Sequence, residues 1–174
     1  EDGEPAKMPE SFYSSDMIVD HMLQYLQADT DKQQPFLAYV AFQAIHIPVQ
    51  APQEYIDKYA GRFDAGWDVL RRDRFARAKS RGLIPPGATY EPEPSDLEKW
   101  ESLSDDEKKI YARSMQVYAG MIEAMDASIG RFVAWLEKTG QLDDTIIVVT
   151  SDNGPEPSDP VHQRGMGIWM ALNG

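Results

Sequence analysis

Hydrophobic positions along this chain follow two rhythms. In some segments they recur every three or four residues; in two others they run without a break. Ile18, Met22, Leu23, Tyr25 and Leu26 make an apolar stripe at helical spacing. Ser14 or Ser15 is placed to cap that helix, and Asp16 in its first turn suits the macrodipole. Glu54 to Tyr59 predicts a short helix that ends at Gly61, and residues 68–80 an amphipathic helix with a basic face. The longest periodic segment opens at Ser104-Asp105-Asp106-Glu107, a capping-box pattern, and stops at Gly140. Its apolar positions run from Ile110 through Met115, Val117, Met121, Ile122, Met125, Ile129 and Val133 to Leu136. The span is long for a globular helix, so a bend is expected at Gly120 or Gly130.

The uninterrupted runs are Pro35 to Phe42 and Thr145 to Thr150. Both have strand length, and the second is rich in β-branched residues, so both predict buried strands of a mostly parallel sheet. Residues 1–10, 29–34, 82–95 and 154–167 are polar or rich in Pro and Gly and predict loops. The order is α-β-α-α-β, with a long loop after each strand. Two strands do not make a sheet covered on both faces, so further strands are expected from outside this segment. Glu1, and Asn173-Gly174 soon after an apolar run begins at Ile168, look like cuts within a longer protein.

The bulk numbers narrow the class. With 174 residues, 42 % hydrophobic and 26 % charged, the chain is long enough for one globular domain. A formal net charge of −12 argues against a nucleic-acid partner. It also means that capture of an anionic substrate needs a bound cation or local arginines to reverse the field. No apolar run approaches the roughly 18 residues of a membrane span. The absence of cysteine removes disulfides, thiolate metal sites and a cysteine nucleophile together.

Candidate chemistry lies where the two uninterrupted runs end. Asp152-Asn153-Gly154 follows the second run, and in open α/β sheets ligands bind beyond the carboxyl ends of strands. Carboxylate and carboxamide oxygens are hard donors, suited to Ca²⁺ or Mg²⁺, although Ca²⁺ takes roughly six to eight oxygens. The alternative is an Asx-turn closing a strand. His46 follows the first run, between Ile45 and Ile47, where an imidazole could donate to an anion or act as an acid. The alternative is a structural histidine bonded to a backbone carbonyl. His21 is expected on the first helix as a surface residue or one between its polar and apolar sides, and His162-Gln163-Arg164 in a solvated loop. Arg71, Arg72, Arg74 and Arg77 could form an anion patch, or a solvated face paired with Asp68 and Asp73. No P-loop, dinucleotide fingerprint or G-x-S-x-G elbow occurs.

Three stretches together resemble the type I sulfatases, in their bacterial arylsulfatase branch, within the alkaline-phosphatase-like superfamily. They are Phe36 to Pro52 around His46, Tyr55 to Leu83 with its Gly61-Arg62-Phe63-Asp64-Ala65-Gly66-Trp67-Asp68 core, and Met115 to Gly154. The resemblance implies an α/β class: part of an alkaline-phosphatase-like three-layer fold with a mostly parallel sheet, incomplete in this chain. It implies that Asp152 and Asn153 are Ca²⁺ ligands, with Mg²⁺ the lesser candidate. It implies that His46 contacts the sulfate group of a sulfate ester substrate and serves catalysis.

The family's nucleophile is a formylglycine made from a C/S-x-P-x-R motif, which this sequence lacks; the N-terminal aspartate pair and a lysine beyond the Ser-Asp-Asn-Gly strand are missing too. Residues 1–174 are therefore expected to be the central portion of a sulfatase catalytic domain, inactive alone. The expected partner is the rest of that domain or a second copy, and the expected location is periplasmic or secreted. The competing readings are a non-catalytic scaffold with a sulfatase-like core, and a phosphodiesterase or phosphonate hydrolase of the same superfamily.

Overall fold

The computed structural model of the chain describes residues 3, 5, 7, 9–28, 34–91 and 98–154. Everything after Gly154 lies outside the described residues, including His162-Gln163-Arg164 and the run from Ile168; so do parts of the loops expected at 1–10, 29–34 and 82–95. Four helices follow in chain order among the described residues: α1 (Ser14–Ala28), α2 (Gln53–Asp57), α3 (Trp67–Ser80) and α4 (Asp105–Lys138). Single turns of 3-10 helix lie at Trp100–Ser102 and Leu142–Asp144.

Both ends of α4 are set by local chemistry. Glu107 N–H donates to Ser104 Oγ at 3.3 Å, and Ser104 N–H donates to Glu107 Oε2 at 2.8 Å. That reciprocal pair satisfies two backbone donors that a helix start otherwise leaves open. At the far end, Gly140 takes φ +71°. Gln141 N–H then reaches the Leu136 carbonyl at 2.8 Å and Gly140 N–H reaches that of Glu137 at 3.0 Å. These are the two bonds of a Schellman motif, which needs a residue that tolerates the left-handed region.

Between its ends α4 buries one face: Val117, Gly120, Met121, Ala124, Ser128 and Leu136, at helical spacing. Helices α1 and α2 pack along this face. Helix α4 continues unbroken for 34 residues through both Gly120 and Gly130. Gly120 serves a close approach. A Cβ there would lie 3.0 Å from both the Cα and the N of Ile56 in α2. Gln116 Nε2 donates to the Ile56 carbonyl at 2.9 Å beside it. Val49, Ile56, Val117 and Met121 form the core at this crossing.

The inward side of α1 runs at helical spacing from Ser15 and Val19 to the half-buried Met22 and Leu26 of its apolar stripe. Ser15 and Val19 are buried, whereas Tyr25 is 56 % exposed. Ser128 Oγ, fully buried, donates to Asp16 Oδ1 at 2.7 Å and to the Ala124 carbonyl at 3.1 Å. The Ser128–Asp16 bond is part-buried and Asp16 is half-exposed, so it contributes about 1 kcal/mol. The Lys58–Glu123 and Arg131–Asp20 pairs are half-exposed, so water and salt screen them and each adds little.

The two uninterrupted runs are extended, but neither is a buried strand among the described residues. From Phe36 to Phe42 partly covered and exposed positions alternate, and Leu37 and Tyr39 are 97 % and 92 % exposed. Ile146, Val148 and Val149 are likewise mostly exposed. The expected burial is corrected for a physical reason. A parallel strand is buried only when neighbouring strands pair with both edges and layers cover both faces. The described residues supply helices, and no strand pairing occurs among them.

Candidate functional site

His46 sits on a turn held in place from either side. Its N–H donates to the Gln43 carbonyl at 2.9 Å. Ala44 and Ile45 just before it, and Ala51 after it, pack against the Val49–Ile56–Val117–Met121 core, so the crossing of α2 and α4 fixes the turn. The Ala44–Ile45 and Ile47–Pro48 peptides are cis. The imidazole itself is exposed, with Nδ1 2.6 Å from the Ile47 carbonyl oxygen. A carbonyl only accepts, so Nδ1 carries the proton in this bond. Nε2 is then the nitrogen left to meet a ligand, as a lone pair in the neutral ring or as N–H in the imidazolium. The structural reading of His46 thus holds for one ring nitrogen and leaves the other for chemistry.

Asp152 and Asn153 follow the second extended run and are exposed. That run leaves α4 through the 3-10 turn at Leu142–Asp144, where Thr145 Oγ1 donates to the Gln141 carbonyl at 2.7 Å. The turn beyond the run is closed by Ser151 Oγ, which donates to the Asn153 carbonyl at 2.7 Å, and by Asn153 Nδ2, which donates to the Gly154 carbonyl at 2.7 Å. The bonds that close the turn come from Ser151 and Asn153 rather than from an Asp152 Asx-turn. Because Asn153 spends its Nδ2 on the backbone, its Oδ1 remains as an acceptor. The two residues therefore offer adjacent hard oxygens, which fits Ca²⁺ in kind but supplies only part of a shell. Among the described residues no group of three or more His, Cys, Asp or Glu side chains gathers as a metal site. Sequence adjacency brings Asp152 and Asn153 together; no such cluster joins His46 to them.

His21 lies in the middle of α1, half-buried, with its ring 6.3 Å from that of Tyr25. A feature that the sequence left undecided is a cavity between the turn after α2 and α3. Arg62, Arg74 and Arg77 line it, with Tyr59 and Phe63. Arg74 and Arg77 had been readable as a solvated face, but the arrival of Arg62 from a separate turn depends on packing that spacing does not encode.

A family model described as Sulfatase matches residues 2–170. An uncharacterized sulfatase of Schizosaccharomyces pombe is 42 % identical over 155 residues, covering 87 % of this chain and 27 % of that protein. An arylsulfatase of Klebsiella aerogenes is 40 % identical over 157 residues, covering 90 % of this chain and 33 % of that protein. A multifunctional alkaline phosphatase superfamily protein of Trinickia caryophylli is 28 % identical over 156 residues, covering 89 % of this chain and 30 % of that protein. The chain thus spans at most a third of the length of these relatives.

Proposed function

Because the chain belongs to the sulfatase family, we propose that it is the central portion of a sulfuric ester hydrolase and carries part of its active site. The family's fold class is α/β. On this reading the two extended runs are strands of its mostly parallel sheet, completed by other parts of the same protein. Their carboxyl ends then deliver His46 and the Asp152-Asn153 pair to one sheet edge. The observation that supports this most is the arrangement at those ends. Each run leads straight into exposed polar groups, on turns whose backbones are held by other bonds.

The chemistry follows from the donor types. Asp152 and Asn153 Oδ1 would hold a Ca²⁺ ion, which when bound neutralises charge on the sulfate oxygens. His46, as the imidazolium, would donate Nε2–H to a sulfate oxygen while its Nδ1–H stays on the Ile47 carbonyl and keeps the ring aimed. The nucleophile, a formylglycine, would come from outside these residues, since the sequence holds neither cysteine nor a Ser-x-Pro-x-Arg motif. Periplasmic or secreted location goes with the family reading. Among the described residues no helix is long and apolar enough to cross a membrane.

The 174-residue chain alone is expected to show no turnover of 4-nitrophenyl sulfate, while the complete protein hydrolyses it. Turnover by the chain alone would place the nucleophile within it. The similarity to the Trinickia protein raises a phosphoester substrate as the second reading. A complete protein with higher kcat/KM for 4-nitrophenyl phosphate than for the sulfate would establish that reading instead. The exposed rows at Leu37, Tyr39, Ile146 and Val148 also lead to an expected partner, the rest of the domain or a second copy. Sedimentation of the chain alone should show self-association, and a strictly monomeric species would count against unfilled sheet edges.

A further inference from the structure

The cavity between the turn after α2 and helix α3 has a volume of about 240 Å³ and a graded lining. Its floor is apolar: Phe63 is buried, and Val69 and Leu70 are half-buried. Its rim is cationic, formed by the exposed Arg62, Arg74 and Arg77 with Asp73 as the opposing charge. Three guanidiniums against one carboxylate leave a local balance of +2 in a chain of net charge −12. A low-dielectric wall beside such a cluster focuses its field.

The wall is aromatic and fixed. The rings of Tyr59 and Phe63 stack at 6.4 Å with an interplanar angle of 21°. The Arg62 guanidinium lies 6.0 Å from the centre of the Tyr59 ring, which restrains that rim side chain. At the outer side, Lys58 Nζ donates to the Glu123 carboxylate of α4 and holds it below its ordinary range. None of His46, Asp152 and Asn153 lines this cavity.

We propose that this cavity binds an aromatic oxyanion, a flat ring seated on the Phe63–Val69–Leu70 floor with its acidic group among Arg62, Arg74 and Arg77. Guanidiniums recognise sulfonate, sulfate, phosphate and carboxylate by charge-assisted forked hydrogen bonds, and the apolar floor excludes a bare inorganic ion from the best part of the site. The site lies apart from the proposed sulfate ester chemistry and does not require it, so the two stand or fall separately.

The test is calorimetric titration of the full 174-residue chain with 2-naphthalenesulfonate, with inorganic sulfate in parallel. The sulfonate is expected to bind at least about tenfold more tightly than sulfate, and the Arg74→Gln/Arg77→Gln double variant to lose about tenfold or more in affinity. Helix content by circular dichroism should be unchanged in that variant, since both positions are exposed on α3. Should the variant unfold, the salt dependence of binding by the parent chain decides: affinity that falls as NaCl rises supports the rim, and affinity indifferent to salt overturns it. No binding of 2-naphthalenesulfonate up to about 1 mM, or equal binding by parent and folded variant, also overturns the proposal.

Discussion

Asp152→Ala in the complete protein is expected to lower kcat/KM for 4-nitrophenyl sulfate by about 10³-fold, or about 4 kcal/mol of transition-state stabilisation. Asp152 contributes the one formal negative charge at the Asp152-Asn153 turn, and a hard cation is held more weakly with one carboxylate fewer in its shell. With the cation lost, charge on the sulfate oxygens falls on His46 and on whatever the rest of the domain supplies. The metal content of the purified variant should drop in step with its rate. Asp143→Ala makes the control. Asp143 is an exposed carboxylate in the 3-10 turn that begins the same run, and its loss should leave the rate within about twofold. Equal losses for both variants would show a general effect of charge rather than a ligand at position 152.

A second large effect is expected far from that turn. Gly66 precedes α3 with φ +86°, a region that side chains with a Cβ rarely enter. A Cβ there would meet the ring of Trp100, 2.6 Å from Cδ1 and closer still to Cγ. Trp100 cannot retreat freely, because Trp67 packs edge-on against it at 5.0 Å and Tyr111 of α4 packs edge-on against Trp67 at 5.3 Å. Gly66→Val therefore combines about 1–3 kcal/mol of backbone strain with overpacking of about 1–3 kcal/mol. In the complete protein, longer than this chain, that sum lowers Tm by several degrees, read by thermal denaturation with tryptophan fluorescence. An unchanged Tm would mean that Trp100 does not rest on Gly66.

The parts of this fold that sequence reveals are those decided within a few residues. Ser104, Glu107 and Gly140 mark the ends of α4 because caps and left-handed stops are local devices. The face that α1 turns inward is legible in part: Ile18, Met22, Leu23 and Leu26 of its stripe are half-buried, while the burial of polar Ser15 and the exposure of Tyr25 depend on where α4 lies and not on periodicity in α1. The extended runs show the same divide. Their composition specifies an extended backbone, while their burial depends on strands that no residue of the run identifies. Placement of His46 and Asp152-Asn153 after those runs was legible, whereas the Nδ1–Ile47 bond that aims His46 is a property of the folded turn. Arg62, Arg74 and Arg77 share a cavity only because the turn after α2 folds back on α3.

The central claim is that His46, Asp152 and Asn153 face one bound sulfate oxyanion. The most direct measurement is a crystal structure of the complete protein with Ca²⁺ and sulfate. The expected result places His46 Nε2 within about 3.2 Å of a sulfate oxygen, with the other oxygens toward a cation ligated by Asp152 and Asn153 Oδ1. A structure with the imidazole and the oxygen pair on opposite sides of the molecule, or with the cation bound by other residues alone, would contradict it.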